Sequence, residues 1–199
     1  YDTEQWVNFF IHTGHLHIDG LKMSKSLKNF ITIRAALQMY SARQIRFLFL
    51  LNQWSEPMEL SPVAAPDGSG VAGFKQMELA LSIERTFVEF FHSIKGAFRT
   101  AGSYAVDKDQ TWNDAERELS DSLDVAQAAV HEALMDNINT PNTILALQDL
   151  VKATNKYLAE TKDVRPLLLE RVGKYVTKIL SCLGVCLDSG AIGFPESSE

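Results

Sequence analysis

At 199 residues with 46% hydrophobic content, the chain is long enough for one or two domains with a sizeable core. Its net charge of −6 argues against a nucleic-acid gripper that binds over a broad surface, and no apolar run reaches the length of a membrane span. The two cysteines, Cys182 and Cys186, have neither a second pair nor a nearby histidine. They read as small core hydrophobes in a reducing compartment, not as a zinc site.

Residues 1–60 carry six Lys and Arg against five Asp and Glu; residues 61–199 carry thirteen against twenty. Any RNA contact by the second part must therefore be local, because a broad acidic surface repels phosphates. The first part reads as mixed α/β. Glu4 to Phe10 suits a short helix or turn, and His15-Leu16-His17-Ile18 alternates as a half-buried strand does. Lys22-Met23-Ser24-Lys25-Ser26 comes next as a loop, with Gly14 and Gly20 as candidate hinges. Two ammonium groups three residues apart, with hydroxyls at Ser24 and Ser26, suit a phosphate chain that is gripped and released; a solvated basic loop is the plainer reading.

Thr32 can cap a helix running to about Gln38, and Ser41 with Gln44 forms a capping box for a second helix carrying Ile45 and Phe47 to Leu51. Met58-Glu59-Leu60 suits a short strand. Ser61 to Gly70 is punctuated by Pro, Gly and Ser and reads as a linker, so 61–73 separates this unit from the helical residues after it.

The period then becomes helical. Ala80, Ile83, Phe87, Phe90, Ile94, Ala97 and Ala101 form one stripe, widened by Phe91 and Phe98. Asn113 with Glu116 is a second capping box, followed by Leu119, Leu123, Ala126, Val130 and Ala133. Thr140 is expected to cap a third helix with Pro141 in its first position, its stripe being Ile144, Leu147, Val151, Thr154 and Leu158. After Pro166 comes a fourth, with Leu168, Val172, Tyr175, Ile179 and Leu183, stopped by Gly184. Four such helices imply an antiparallel bundle over 74–187, and 188–199 reads as a frayed, flexible tail. Trp6, Trp54 and Trp112 read as packing anchors.

His12 to Gly20, the Lys22–Ser26 loop and Leu27-Lys28-Asn29-Phe30 together resemble the signature loop of class I aminoacyl-tRNA synthetases, and most of all the cysteinyl family. Asp136-Asn137-Ile138-Asn139-Thr140-Pro141 resembles a second element of that family, D-D-F-N-T-P, with Asn and Ile as departures. The Lys28-Asn29 pair is similar to eukaryotic cytosolic members. The resemblance implies a mainly α chain: the end of a catalytic domain with a small α/β stem-contact unit over 1–60, then a tRNA-binding four-helix bundle. It implies cysteine–tRNA ligase chemistry in the cytoplasm, with cysteine, ATP, Mg²⁺ and tRNA(Cys) as substrates, cofactor and partner.

On the same ground Lys22 and Lys25 are the catalytic candidates. Met23, Ser24, Lys25 and Ser26 are the ATP contacts. Arg34, Arg43 and Arg46, on helices beside the loop, are the candidate tRNA acceptor-stem contacts, with surface salt bridging the plainer reading for each. His12-Thr13-Gly14-His15 fits H-x-G-H by letter, but it lies beside the lysine loop and not at the start of a nucleotide fold. Neither that fold nor the family's zinc ligands have matching positions, so Zn²⁺ belongs to a longer enzyme and none is expected here. The chain, opening on Tyr1, reads as a piece inactive alone. The alternatives are a non-catalytic helical module with a vestigial loop, or another class I synthetase such as the methionyl type.

Overall fold

The computed structural model describes residues 5–24, 26–27, 29–68, 70–100, 111–186 and 190–195. Three short strands, β1 (Leu16–Ile18), β2 (Leu21–Lys22) and β3 (Met58–Leu60), form a sheet of order β2-β1-β3, with β1 antiparallel to β2 and parallel to β3. The parallel pair is bridged by α1 (Ile33–Met39) and α2 (Ala42–Leu50), because parallel strands need a crossover. Both helices start where local chemistry dictates. The Thr32 hydroxyl accepts from the Ala35 amide, and Ser41 and Gln44 complete their reciprocal box.

Residues 61–73, expected as a linker, instead form a hairpin: β4 (Pro62–Ala64) pairs with β5 (Val71–Phe74). Pro, Asp and Gly here supply a tight reversal, and Pro62 sits at the first strand position, which needs no ladder donor. The expected helix or turn near Glu4–Phe10 is also absent among the described residues, and Glu4 lies outside them. Trp6 is 85% exposed, so it is no packing anchor within this chain.

Four long helices complete the chain: α3 (Met77–Thr100), α4 (Asp114–Met135), α5 (Thr140–Glu160) and α6 (Pro166–Cys182). With two shorter helices and small sheets, the chain is mainly α, and the long helices pack as a bundle. The α3 stripe is buried from Ala80 to Ile94; Ala101 lies outside the described residues. The α5 cap is Asn139, not Thr140: its side chain accepts from the Asn142 amide, and Thr140 is already helical. The α6 face is turned from expectation. Val176 and Leu180 are buried, whereas Tyr175 and Ile179 are only partly so. Adjacent apolar pairs leave the local pattern ambiguous, and packing against α3 chooses. Gly184 at φ +72° ends α6; its amide reaches Ser181 O, and the Val185 amide reaches Leu180 O, a Schellman arrangement.

The buried side chains form one continuous cluster from α2 and β3 through the bundle. At the junction Phe47 of α2 and Phe87 of α3, both fully buried, stack at 5.9 Å with 8° between ring planes. Burial of each is worth roughly 1.5–3 kcal/mol, and the ring pair about 1 kcal/mol more. The tail region expected to fray instead folds back over 190–195. The Gly193 amide donates to the Thr177 hydroxyl at 2.9 Å, and Phe194 meets Phe91 edge-on at 5.3 Å. Of the cysteines expected in the core, Cys182 is exposed and Cys186 only partly covered.

One polar network lies inside the bundle. Glu116, fully buried, accepts from the Asn113 amide at 3.0 Å and from the Tyr157 hydroxyl at 2.8 Å. The Tyr157 oxygen in turn accepts from the Arg165 amide at 2.8 Å, joining the starts of α4 and α6 to the end of α5. Burial above all, with the Glu116 carboxylate adding to it, pushes the Tyr157 hydroxyl up to about 12.

Candidate functional site

Asp19 and Gly20 connect β1 to β2 with φ of 55° and 75°. Positive φ at both positions of a two-residue hairpin is what an Asp-Gly pair accommodates, and it matches the strand twist. This turn aims the chain into the lysine loop, and it is held from below by Glu59 of β3, whose carboxylate accepts from the Gly20 amide at 2.7 Å. The His17 ring lies 4.0 Å from the same carboxylate.

The loop is closed on itself by Asn29. Its Oδ1 accepts from the Ser24 amide at 3.0 Å and its Nδ2 donates to Lys22 O at 3.4 Å, so one amide spans both ends. The Ser24 and Ser26 hydroxyls lie 3.2 Å apart, and the Leu27 amide donates to Ser24 Oγ at 3.3 Å. Lys22 is exposed at the end of β2 and makes no ion pair among the described residues; Met23 comes next, half-buried. Lys25 and Lys28 lie outside the described residues. A free ammonium and two hydroxyls at one exposed turn form a donor set suited to an oxyanion.

Gly14 is not placed as a hinge. Its amide donates to Trp54 O at 2.9 Å, and any Cβ there would run into the Glu56 carbonyl. Gly20 keeps open space around it. His12 and His15 are exposed, His17 half-buried.

The three arginines have different settings. Arg34 is exposed on α1. Arg43 approaches Glu84 at 3.5 Å and stacks 4.2 Å over the Phe194 ring. Arg46 donates through Nε to Leu183 O at 2.7 Å, a cation at the C-terminal end of α6. Arg43 and Arg46 thus have internal partners that account for them; among the described residues Arg34 has none.

Sequence reasoning missed the support of the site. Asn29 and Glu59 are legible only as flanking polar residues, and nothing local marks Trp54, whose indole N–H donates to Asn137 O at 2.8 Å. That carbonyl belongs to the α4–α5 reversal, where Asn137 and Ile138 have φ of 54° and 53°. Asn tolerates the left-handed region; a β-branched residue there costs about 1–2 kcal/mol. Among the described residues no group of three His, Cys, Asp or Glu could hold a metal ion.

Comparison with known proteins fits this geometry. Residues 1–65 match the family model for the tRNA synthetases class I (C) catalytic domain, and residues 129–188 match the DALR domain. The chain is 41% identical to the cytoplasmic cysteine–tRNA ligase of Dictyostelium discoideum, over 100% of this chain and 29% of that protein. It is 39% identical to the enzyme of Gallus gallus and 37% to that of Homo sapiens, each over 98% of this chain and 25% of the relative. The chain therefore spans between a quarter and three-tenths of the length of these relatives. Among solved structures it resembles the LeuRS–tRNA–LeuAMS ternary complex of Agrobacterium radiobacter K84, with a TM-score of 0.58, 18% identity, 85% of this chain and 20% of the other covered, a likeness of fold. By sequence along its whole length, with the lysine loop in one matched segment and the Asn137–Pro141 reversal in the other, the chain belongs with the class I aminoacyl-tRNA synthetases of the cysteine–tRNA ligase family.

Proposed function

We propose that this chain serves an ATP-dependent cysteine–tRNA ligase of the cytoplasm. Residues 1–60 would be the end of its catalytic domain and 74–187 a tRNA-docking bundle. The observation that carries this reading is the Lys22–Ser26 loop, presented on a hairpin and clipped by Asn29, inside a segment matched to a class I (C) catalytic domain.

In this reading a cysteine carboxylate attacks the α-phosphate of ATP, forming cysteinyl-adenylate with loss of pyrophosphate, and the cysteinyl group then passes to the terminal ribose of tRNA(Cys). Charge stabilisation dominates such chemistry. Lys22 and Lys25 would neutralise the departing pyrophosphate, with the Ser24 and Ser26 hydroxyls and the Met23 backbone completing the contact. Mg²⁺ would accompany ATP as counter-charge. Zn²⁺, where the family resemblance implies it, would be held by other parts of a longer enzyme. Arg34 is the favoured acceptor-stem phosphate contact. Arg43 and Arg46 would act by holding α2 in place.

A chimera tests the reading: this chain replaces the matching segment of the Dictyostelium enzyme. Cysteine-dependent ATP–pyrophosphate exchange is expected, with Lys25→Ala lowering it at least a hundredfold, about 2.7 kcal/mol of transition-state stabilisation. A folded chimera that exchanges equally well after Lys25→Ala rejects the proposed role. One that responds to methionine instead of cysteine favours another class I synthetase, the methionyl type.

A further inference from the structure

The outer side of the α4–α5 hairpin takes no part in the lysine site. An open groove runs there between the two helices as two adjoining hollows of about 530 and 490 Å³ that share Ala129, Ala146 and Asp149. Its floor is Ala126, Ala129, Ala146, Leu150 and Ala153, with Val125 (69% exposed) and Leu145 (52% exposed) standing beside it. Side chains this small let the backbone of another helix approach to the 8–10 Å of close packing. At 22 residues, α4 offers such a helix a bed roughly 33 Å long.

The rim is acidic. Helix α4 carries six carboxylates, of which Glu116 is buried inside the bundle, and one arginine, Arg117, which pairs with Asp114 at 3.2 Å. Along the groove, Asp121, Glu132 and Asp136 make no ion pair among the described residues. Glu118 and Asp149 pair with Lys156 and Lys152 at 2.7 Å each, but all four side chains are at least half exposed, so a competing cation exchanges with them at little cost. An apolar floor between unpaired carboxylates repels RNA phosphates, and it complements a helix with one small apolar face bordered by Lys or Arg.

We infer that the α4–α5 groove docks a basic amphipathic helix of a partner protein, at a site separate from the lysine loop and independent of the catalytic reading. The test uses the whole 199-residue chain. The probe is a fluorescein-labelled amphipathic peptide of about 18 residues, long enough to form helix, built from Leu, Ala and Lys, with a Glu-for-Lys counterpart. Fluorescence anisotropy is expected to show saturable binding of the Lys peptide, weakened about tenfold or more by high salt, and no binding of the Glu peptide. Ala129→Trp fills the floor and is expected to abolish binding. Glu132→Lys with Asp136→Lys is expected to weaken it tenfold or more, leaving the helical circular-dichroism signal unchanged and giving a second reading should the tryptophan disturb folding. Equal affinity in all variants, or equal binding of both peptides, overturns the inference. Displacement of the peptide by tRNA would make the groove a nucleic-acid surface. Sedimentation showing a dimer dissolved by Ala129→Trp would make its occupant a second copy. Either result also overturns it.

Discussion

The indole N–H of Trp54 donates to the main-chain oxygen of Asn137 across 2.8 Å, joining residues 83 apart in sequence. The Trp54 carbonyl, in turn, accepts from Gly14, two residues before β1. One residue thus ties the strand that leads to the lysine loop to the reversal between two bundle helices. Trp54→Phe keeps most of the ring and removes the donor. A loss of about 1 kcal/mol is expected, seen as a melting temperature lower by roughly 2–4 °C. An unchanged melt would mean that the bond contributes nothing to coupling the two parts.

The left-handed backbone at Ile138 is a store of strain on a side chain that is 57% exposed. Ile138→Asn places a residue tolerant of that region there and sacrifices little burial. It is expected to stabilise the chain by about 1 kcal/mol in urea titration. A destabilised variant would show that the isoleucine packs usefully against the cleft beside Phe49 and Trp54.

The raised Tyr157 hydroxyl sets a pH dependence. Unfolded, it ionises near the ordinary tyrosine value of 10.0; folded, only near 12. Below pH 10 both states hold the proton and the stabilisation is fully present; as pH rises from 10 through 12 only the unfolded state gains by ionising, and stability falls. The fall from this residue is on the order of 2–3 kcal/mol, measured as the urea midpoint against pH. Tyr175, raised by burial, adds to it. Tyr157→Phe removes most of the slope. It also lowers stability at neutral pH by about 1–3 kcal/mol, because the Glu116 carboxylate and the Arg165 amide each lose a partner. A variant as pH-sensitive as its parent would assign the titration elsewhere.

Asn29 closes the lysine loop through contacts that are only partly shielded. Asn29→Ala is expected to cost less than about 1 kcal/mol of global stability, while the Ser24 amide exchanges hydrogen faster by roughly tenfold. Unaltered exchange at Ser24 would show that the loop holds its shape without the clip.

The features legible in the sequence are mostly local ones. The capping boxes at Ser41–Gln44 and Asn113–Glu116 are visible because both partners lie three residues apart, and the α3 stripe because helical period alone decides it. The lysine loop is legible as chemistry, since its residue types are the reagent. Hidden are features in which distance in sequence hides closeness in space: Arg46 on Leu183, Trp54 on Asn137, Phe194 on Phe91. The hairpin at 61–73 is obscured for another reason, because Pro and Gly signal a turn and a linker equally well. The α6 register is underdetermined, for residues 175–176 and 179–180 offer the core two candidates each.

The parallel rings of Phe47 and Phe87 join the first matched family segment, which holds Phe47, to the stretch after it, where Phe87 lies on the buried face of α3. Shears applied at that seam would strip a solvent-free aromatic face from both halves. A protease nicking the β4–β5 hairpin should therefore leave two pieces that still hold together.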